Sequence, residues 1–141
     1  MPRSQTAFLA RKDAPMRKAL QEAIDGLKFK LALDDAYAPF KTAGYLPCTL
    51  EGEDAGFDMR FQEVEADLSK FPALQAQIGG RDAAIAFRWS GDAREYASAM
   101  IVGAALAKNF GAIVHNPDED VVYSAEDLIE KARKAVASLS L

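Results

Sequence analysis

The side chains best suited to catalysis or metal binding are scarce in this sequence, which has one cysteine, Cys48, and one histidine, His115. A zinc site needs several Cys or His ligands, so the sequence predicts no zinc site of the usual kind. A serine-histidine-acid triad would need His115 as its base, but no serine occurs in a Gly-x-Ser-x-Gly turn. We interpret His115 as a residue that ends a strand and hydrogen-bonds the following turn.

Because Cys48 lies in the apolar run of residues 45–50, we interpret it as a buried structural thiol. The sequence therefore favours a non-catalytic role without a cofactor or a metal ion.

Carboxylates are the most conspicuous functional groups, and they gather in two turns. Glu53, Asp54 and Asp58 surround the first turn, and Asp118 and Glu119 lie in the second. Their spacing does not fit an EF-hand calcium loop, and nothing in the sequence sets the separation that a pair of glycosidase carboxylates requires. Acidic loops of this kind steer basic proteins toward a binding surface. We therefore predict that these five residues form part of a site for a basic protein partner.

Two tyrosines lie close to the first acidic cluster. Tyr37 and Tyr45 flank a loop that contains Pro39. Tyrosine beside acidic residues is suited to anchor a protein interface, because its ring offers a large contact area and its hydroxyl a hydrogen bond. We therefore predict that Tyr37 and Tyr45 belong to the same partner-binding surface.

The alternative function is the binding of a small ligand, or a small enzymatic activity, in a pocket between the sheet and the longest predicted helix. Its candidate groups are Arg88, Glu95, Tyr96 and His115. Arg88 and His115 would converge if their strands were neighbours in the sheet. A third alternative is a structural homo-oligomer. The sequence leaves these three alternatives open.

Composition narrows the class of protein. The chain of 141 residues has a net charge of -4 and a pI of about 5.0, which argues against nucleic-acid binding, because a duplex binder needs a basic face. No apolar run reaches the roughly 18 residues of a membrane span, so we expect no membrane partner. A single cysteine is typical of a cytoplasmic protein rather than a disulfide-stapled secreted one.

Hydrophobic periodicity predicts the secondary structure. Spacings of three and four residues indicate a helix from Asp13 to residue 27, a long helix capped by Asp92, and a final helix capped by Ser124. Alternation indicates strands over residues 28–33 and 83–89 and a hairpin that pairs residues 45–50 with 57–61. Hairpins mixed with helices predict an α+β fold whose largely antiparallel sheet carries its helices on one face. Residues 1–12 show no clear period, so we expect them to be a flexible lead-in and residues 13–141 to form one domain.

One stretch of the chain resembles a known group of proteins. The run AIAFRWSGD at residues 84–92 is followed by an alanine-rich helix and by GAIVHNPD at residues 111–118. This arrangement over residues 84–124 resembles small bacterial proteins of the immunity kind, some of which neutralise toxins by binding them. The resemblance implies an inhibitor of a partner protein, and it assigns no individual functional residue.

Overall fold

The computed structural model describes residues 4–65 and 67–139 and confirms an α+β fold with a mostly antiparallel sheet. The strands are β1 (Ser4–Leu9), β2 (Leu31–Leu33), β3 (Ala43–Leu46), β4 (Cys48–Leu50), β5 (Glu53–Asp54), β6 (Phe57–Glu63), β7 (Ala83–Arg88), β8 (Ile113–Asn116) and β9 (Val121–Tyr123). The helices are α1 (Arg17–Gly26), α2 (Pro72–Gln77), α3 (Ala93–Asn109) and α4 (Ala125–Ser138). No helix among the described residues is long and apolar enough to cross a membrane.

Six of the strands form one sheet in the order β3-β6-β7-β1-β8-β9, and every neighbouring pair is antiparallel. The three short strands β2, β4 and β5 form a second, smaller sheet. In an antiparallel sheet, neighbouring strands run in opposite directions, so one strand finishes at the end of the sheet where its neighbour begins. Loops that are distant in sequence are therefore brought together at each end of the large sheet.

The expectation of a flexible lead-in is wrong for residues 4–9, because β1 is an inner strand of the large sheet, paired with β7 and β8. Ala7 and Leu9 face the main core, whereas Phe8 packs in a second core on the opposite face. A strand with apolar side chains on both faces lacks a clean alternation, which explains why the sequence pattern did not reveal it. Residues 1–3 lie outside the described part of the chain.

The predicted hairpin is confirmed in part. Tyr45 and Leu46 pair with Asp58 and Phe57, but residues 48–50 leave the large sheet and pair with β2 and β5 instead. Pro47 separates the two strands, because it has no N–H to donate and so interrupts a ladder. The β4–β5 hairpin turns at Glu51 and Gly52, whose φ angles of 53° and 84° are those of a type I′ turn.

Side-chain caps fix the first residue of two of the helices. Asp92 accepts hydrogen bonds from the backbone of Arg94 and Glu95 at the start of α3, as predicted. Ser124 likewise caps α4 in a capping box. The prediction that Asp13 caps the first helix is wrong, because Asp13 ends a short 3₁₀ turn and α1 begins only at Arg17.

Helix α3 lies at the centre of the main core. Its residues 97–106 are all buried, and it contacts the sheet, α1 and α4. Small side chains along this stretch let the helix lie close to the strands. The short helix α2 covers part of the opposite face of the sheet through Leu74, which packs against Phe8 and Ala84. Three helices thus share one face, as expected, and the fourth does not.

Candidate functional site

Most of the predicted site residues lie at one end of the large sheet or on the short strand β5, which comes just before β6. At this end β3, β7 and β8 finish and β1, β6 and β9 begin, with Arg88 opposite both Asp58 and Ser4 and with Asn116 opposite Val121. Helix α3 also starts here, because it follows β7 directly. We call this surface the acidic end and define it by the following residues. They are Tyr45, Glu53, Asp54, Asp58, Glu95, Asp118 and Glu119.

Tyr45 is the exposed aromatic residue of the acidic end, with 63% of its surface accessible. Its ring lies over Gly56, where a Cβ atom would be 2.6 Å from the carbonyl oxygen of Leu46. Partial burial raises the pKa of the Tyr45 hydroxyl, and the carboxylates of Glu95 and Asp54 raise it further. The negative charges of these two carboxylates therefore favour a positively charged group of a partner beside the Tyr45 ring.

The other carboxylates of the first cluster differ in how they are held. Asp58 forms a paired contact with Arg60, at 3.0 Å and 3.3 Å between the guanidinium nitrogens and the carboxylate oxygens. Glu53 and Asp54 are exposed on β5. Asp58 is thus partly neutralised within the protein, and Glu53 and Asp54 present the stronger charge to a partner.

The turn between β8 and β9 contributes the second acidic pair. Asn116 is buried and orders the turn, because its amide oxygen accepts from the backbone N–H of Asp118 at 2.9 Å. Its amide nitrogen donates to a carboxylate oxygen of Glu119 and to the hydroxyl of Tyr123, both at 3.2 Å. Asp118 and Glu119 are therefore exposed carboxylates on an ordered turn, as a preformed binding surface requires.

The prediction that Tyr37 lies on the binding surface is wrong, because only 3% of this residue is exposed. Its hydroxyl donates to the carbonyl oxygen of Pro15 at 2.9 Å, and its ring packs against Phe61. Burial raises the pKa of the Tyr37 hydroxyl well above its usual range. Tyr37 instead anchors its loop to the chain before α1.

Cys48 is buried, which confirms the interpretation of a structural thiol. Burial raises the pKa of the thiol to about 12, and the carboxylate of Asp34 adds to this effect. Since the thiolate is the nucleophilic form, a thiol with this pKa is inert at neutral pH.

The four groups of the alternative pocket do not converge. Strand β1 separates β7 from β8, so Arg88 and His115 are not on neighbouring strands. His115 is buried on the face covered by α2, whereas the carboxylate of Glu95 accepts hydrogen bonds from the backbone and side chain of Ser90. Of the four, only Tyr96 lines a cavity between the sheet and α3.

That cavity opens at the acidic end, has a volume of about 310 Å³ and will be called the Trp89 pocket. The rings of Trp89 and Tyr96 meet edge to face with their centroids 5.7 Å apart. The Lys131 ammonium lies 5.0 Å from the centroid of the Tyr123 ring. The lining residues are Ser4, Gln5, Trp89, Tyr96, Met100, Asn116, Glu119, Tyr123 and Lys131.

Sequence reasoning missed most of the lining of the Trp89 pocket. Gln5 lies in the segment that was expected to be a flexible lead-in, and Trp89 is the last residue of the strand predicted over residues 83–89. Lys131 sits on the polar side of the final helix, where a lysine is ordinary. One signal in the sequence could have indicated the pocket. Trp89 and Tyr96 lie on either side of the Asp92 cap, and because α3 turns back over the strand before it, their side chains are brought together.

His115 takes part in a different arrangement, which joins two parts of the fold. Its Nε2 lies 2.9 Å from one carboxylate oxygen of Asp120, which confirms that His115 hydrogen-bonds the following turn. The other oxygen of Asp120 accepts from the backbone N–H of Ala73, in the first turn of α2. The ring of Phe71 packs edge-on against His115. Asp120 therefore links the β8–β9 turn to α2.

We expect Asp120→Asn to loosen α2 at neutral pH. The hydrogen bond from Ala73 lowers the pKa of Asp120, and the contact with His115 lowers it further. A carboxylate with a lowered pKa stabilises the fold above its unfolded pKa of about 3.9, and this contribution is lost as the pH falls through the folded pKa. Asparagine keeps the size and tolerates the φ of 51° but carries no charge.

The measurement is amide hydrogen exchange of residues 73–77 as a function of pH. At pH 6 these amides should exchange faster in Asp120→Asn than in the wild type, and the difference should shrink as the wild-type carboxylate is protonated. Asp118→Asn is the matched control in the same turn, and it should leave α2 unchanged. A difference that did not depend on pH would contradict the role of the Asp120 charge.

Within residues 4–65 and 67–139, no group of three or more His, Cys, Asp or Glu side chains is arranged to hold a metal ion. Comparison of the chain with protein-family models, curated proteins and solved structures found no match.

Proposed function

We propose that this protein is a non-catalytic binding domain that holds a basic protein partner at its acidic end, as an immunity-type inhibitor does. The observation that carries the proposal is that separate segments place carboxylates at the same end of the large sheet, with Tyr45 at one edge strand and the β8–β9 turn at the other. Tyr45 is near enough to Asp54 and Glu95 for both carboxylates to raise the pKa of its hydroxyl, and the turn with Asp118 and Glu119 lies at the same end of the sheet. An inhibitor of this kind needs complementary shape and charge but no catalytic group.

The physical chemistry of the surface supports a charged protein partner. An exposed tyrosine offers contact area at a low cost in side-chain entropy, and a surrounding of carboxylates favours Arg and Lys. The chain as a whole has a net charge of -4, which adds long-range attraction for a basic partner. Association driven in this way is fast at low salt and slows as salt screens the charges.

The enzymatic alternative receives less support from the geometry. His115 is buried on the face covered by α2, the carboxylate of Glu95 binds Ser90 at the start of α3, and the thiol of Cys48 is held in its unreactive form. A nucleophile and a base within hydrogen-bonding distance are the minimum for most covalent mechanisms. The described residues bring no such pair together around the Trp89 pocket, which holds no histidine, cysteine or second carboxylate.

The test begins with capture of partners from a lysate of the native cell at low and at high salt. The captured basic protein is then purified, and its association rate is measured with three forms of this chain. The first is the wild type and the second is Asp54→Lys with Asp118→Lys, which reverses two charges of the acidic end. The third is Glu22→Lys with Glu126→Lys, which makes the same change in net charge on exposed helical positions outside the acidic end.

We expect the rate to fall by about tenfold or more in the second form and by much less in the control. The wild-type rate should also fall steeply with salt. Equal rates for the second form and the control would remove the acidic end as the site. A partner whose association ignored salt would argue against an electrostatically guided interface. The mass of the free chain in solution, measured alongside, tests the homo-oligomer alternative.

A further inference from the structure

We infer that the Trp89 pocket receives an arginine side chain of the basic partner, an inference that rests on the proposed function. The pocket opens within the surface proposed for binding, because Ser4, Trp89 and Asn116 lie at or next to the strand ends that form it. Its volume of about 310 Å³ suits one long side chain rather than a whole folded segment. Binding energy at protein interfaces concentrates where one residue, often arginine, fills such a pocket.

The walls of the pocket are suited to a flat cation. Three aromatic residues, Trp89, Tyr96 and Tyr123, are among those that line the cavity. Aromatic faces attract cations, and a guanidinium also stacks on a ring through its own flat surface. The Lys131 ammonium, 5.0 Å from the Tyr123 centroid, shows that this ring accepts a positive group from within the chain. The Trp89 and Tyr96 rings remain as the walls for a cation supplied by a partner.

The polar groups of the pocket match the hydrogen-bonding pattern of arginine, which donates and does not accept. Glu119 is exposed at the mouth of the pocket. One of its carboxylate oxygens accepts a hydrogen bond from Asn116, and the carboxylate is able to accept further hydrogen bonds from a ligand. A paired contact between a guanidinium and a carboxylate is among the strongest side-chain interactions. Glu119 is therefore the group that distinguishes arginine from a neutral side chain of equal shape.

Gln5 is a second polar group of the pocket, and the fold makes room for it. Only 2% of Gln5 is exposed, and its Nε2 lies 3.5 Å from the carbonyl oxygen of Ala99, at the limit of a hydrogen bond. A Cβ atom at Gly103 would approach this nitrogen to 3.1 Å, so glycine is the residue that leaves space for the amide. The hydrogen bond to Ala99 uses the Nε2 donor, so Oε1 is the atom of this amide that is able to accept from a guanidinium.

The single tryptophan of the chain is in the wall of this pocket, so its fluorescence reports directly on occupation. The probe is N-acetyl-arginine amide, and the control is N-acetyl-citrulline amide, which has the same shape without the charge. We expect a saturable change in Trp89 emission with the arginine probe, at a dissociation constant on the order of 10 mM, as suits an isolated side chain. The citrulline probe should give no saturable change in the same range.

Two matched variants test the role of the carboxylate. Glu119→Gln keeps an oxygen that can accept from Asn116 but removes the charge, and we expect at least about threefold weaker binding of the arginine probe. Glu126→Gln removes an equally exposed charge outside the pocket and should bind as the wild type does. Both variants are checked for a wild-type thermal transition before the titration.

The outcomes separate this inference from the proposed function. Equal responses to the arginine and citrulline probes, or no saturable response to either, overturn the assignment of the pocket. Equal weakening by Glu119→Gln and Glu126→Gln overturns it as well. The salt-dependent association with the partner is measured in a separate experiment. Its result tests the acidic end as the binding surface and does not depend on the assignment of the pocket.

Discussion

Replacement of Ala7 by proline is expected to lower the free energy of unfolding by about 3–5 kcal/mol, enough to unfold many domains of this size. Ala7 is fully buried in β1 and pairs with Ile85 of β7 and Val114 of β8. Proline removes the backbone donor of a strand that has neighbours on both sides, and its ring overfills a site shaped for a methyl group. Both effects act at the centre of the large sheet.

The measurement is urea denaturation followed by circular dichroism. Ala10→Pro is the matched control three residues away, because Ala10 lies beyond the strand with a φ of -72°, within the range that proline adopts. We expect the control to change stability by less than about 1 kcal/mol. If Ala7→Pro were as mild as the control, residues 4–9 would not be an inner strand.

The pattern of residues predicted those elements whose signal is local. The Asp92 and Ser124 caps and the alternation of residues 83–89 are features of neighbouring residues. The structure has both caps, and its strand β7 (Ala83–Arg88) ends one residue before the predicted one. β1 was missed because its partner strands are distant in sequence and because a core covers each of its two faces. Phe8 is apolar on the face opposite Ala7 and Leu9, so apolar residues follow one another in β1 and no period of two appears.

The candidate site shows the same division. The acidic turns were visible in the sequence because exposed turn residues are recognisable from composition. Their gathering at one end of the sheet depends on the strand order, which the sequence could not supply. The strand order also decides that Arg88 and His115 are separated by β1. Tyr37 was misplaced because a loop that folds back onto the core resembles an exposed loop in sequence.

Replacement of Phe87 by alanine is the second change with a large expected effect, a loss of about 3–5 kcal/mol. Phe87 is fully buried on β7, and its ring meets that of Phe57 edge to face at 5.5 Å. A Cβ at Gly103 would lie 3.7 Å from the Phe87 ring, so α3 rests directly on it. Alanine would leave a cavity between the sheet and the central helix, where rigid neighbours on both sides limit collapse.

Phe40→Ala is the matched control for this prediction, because it removes the same ring from a residue that is 41% exposed. The Phe40 ring contacts Phe61 and the guanidinium of Arg11, so its loss should cost roughly 1 kcal/mol, well below the loss at Phe87. Phe87→Leu, which keeps most of the volume, should fall between the two. Comparable losses at Phe40 and Phe87 would mean that the contact of α3 with β7 does not dominate the core. The urea midpoints of Phe87→Ala, Phe87→Leu and Phe40→Ala therefore test whether the interface between α3 and the sheet is the most tightly packed part of the domain. The same interface forms the floor of the Trp89 pocket.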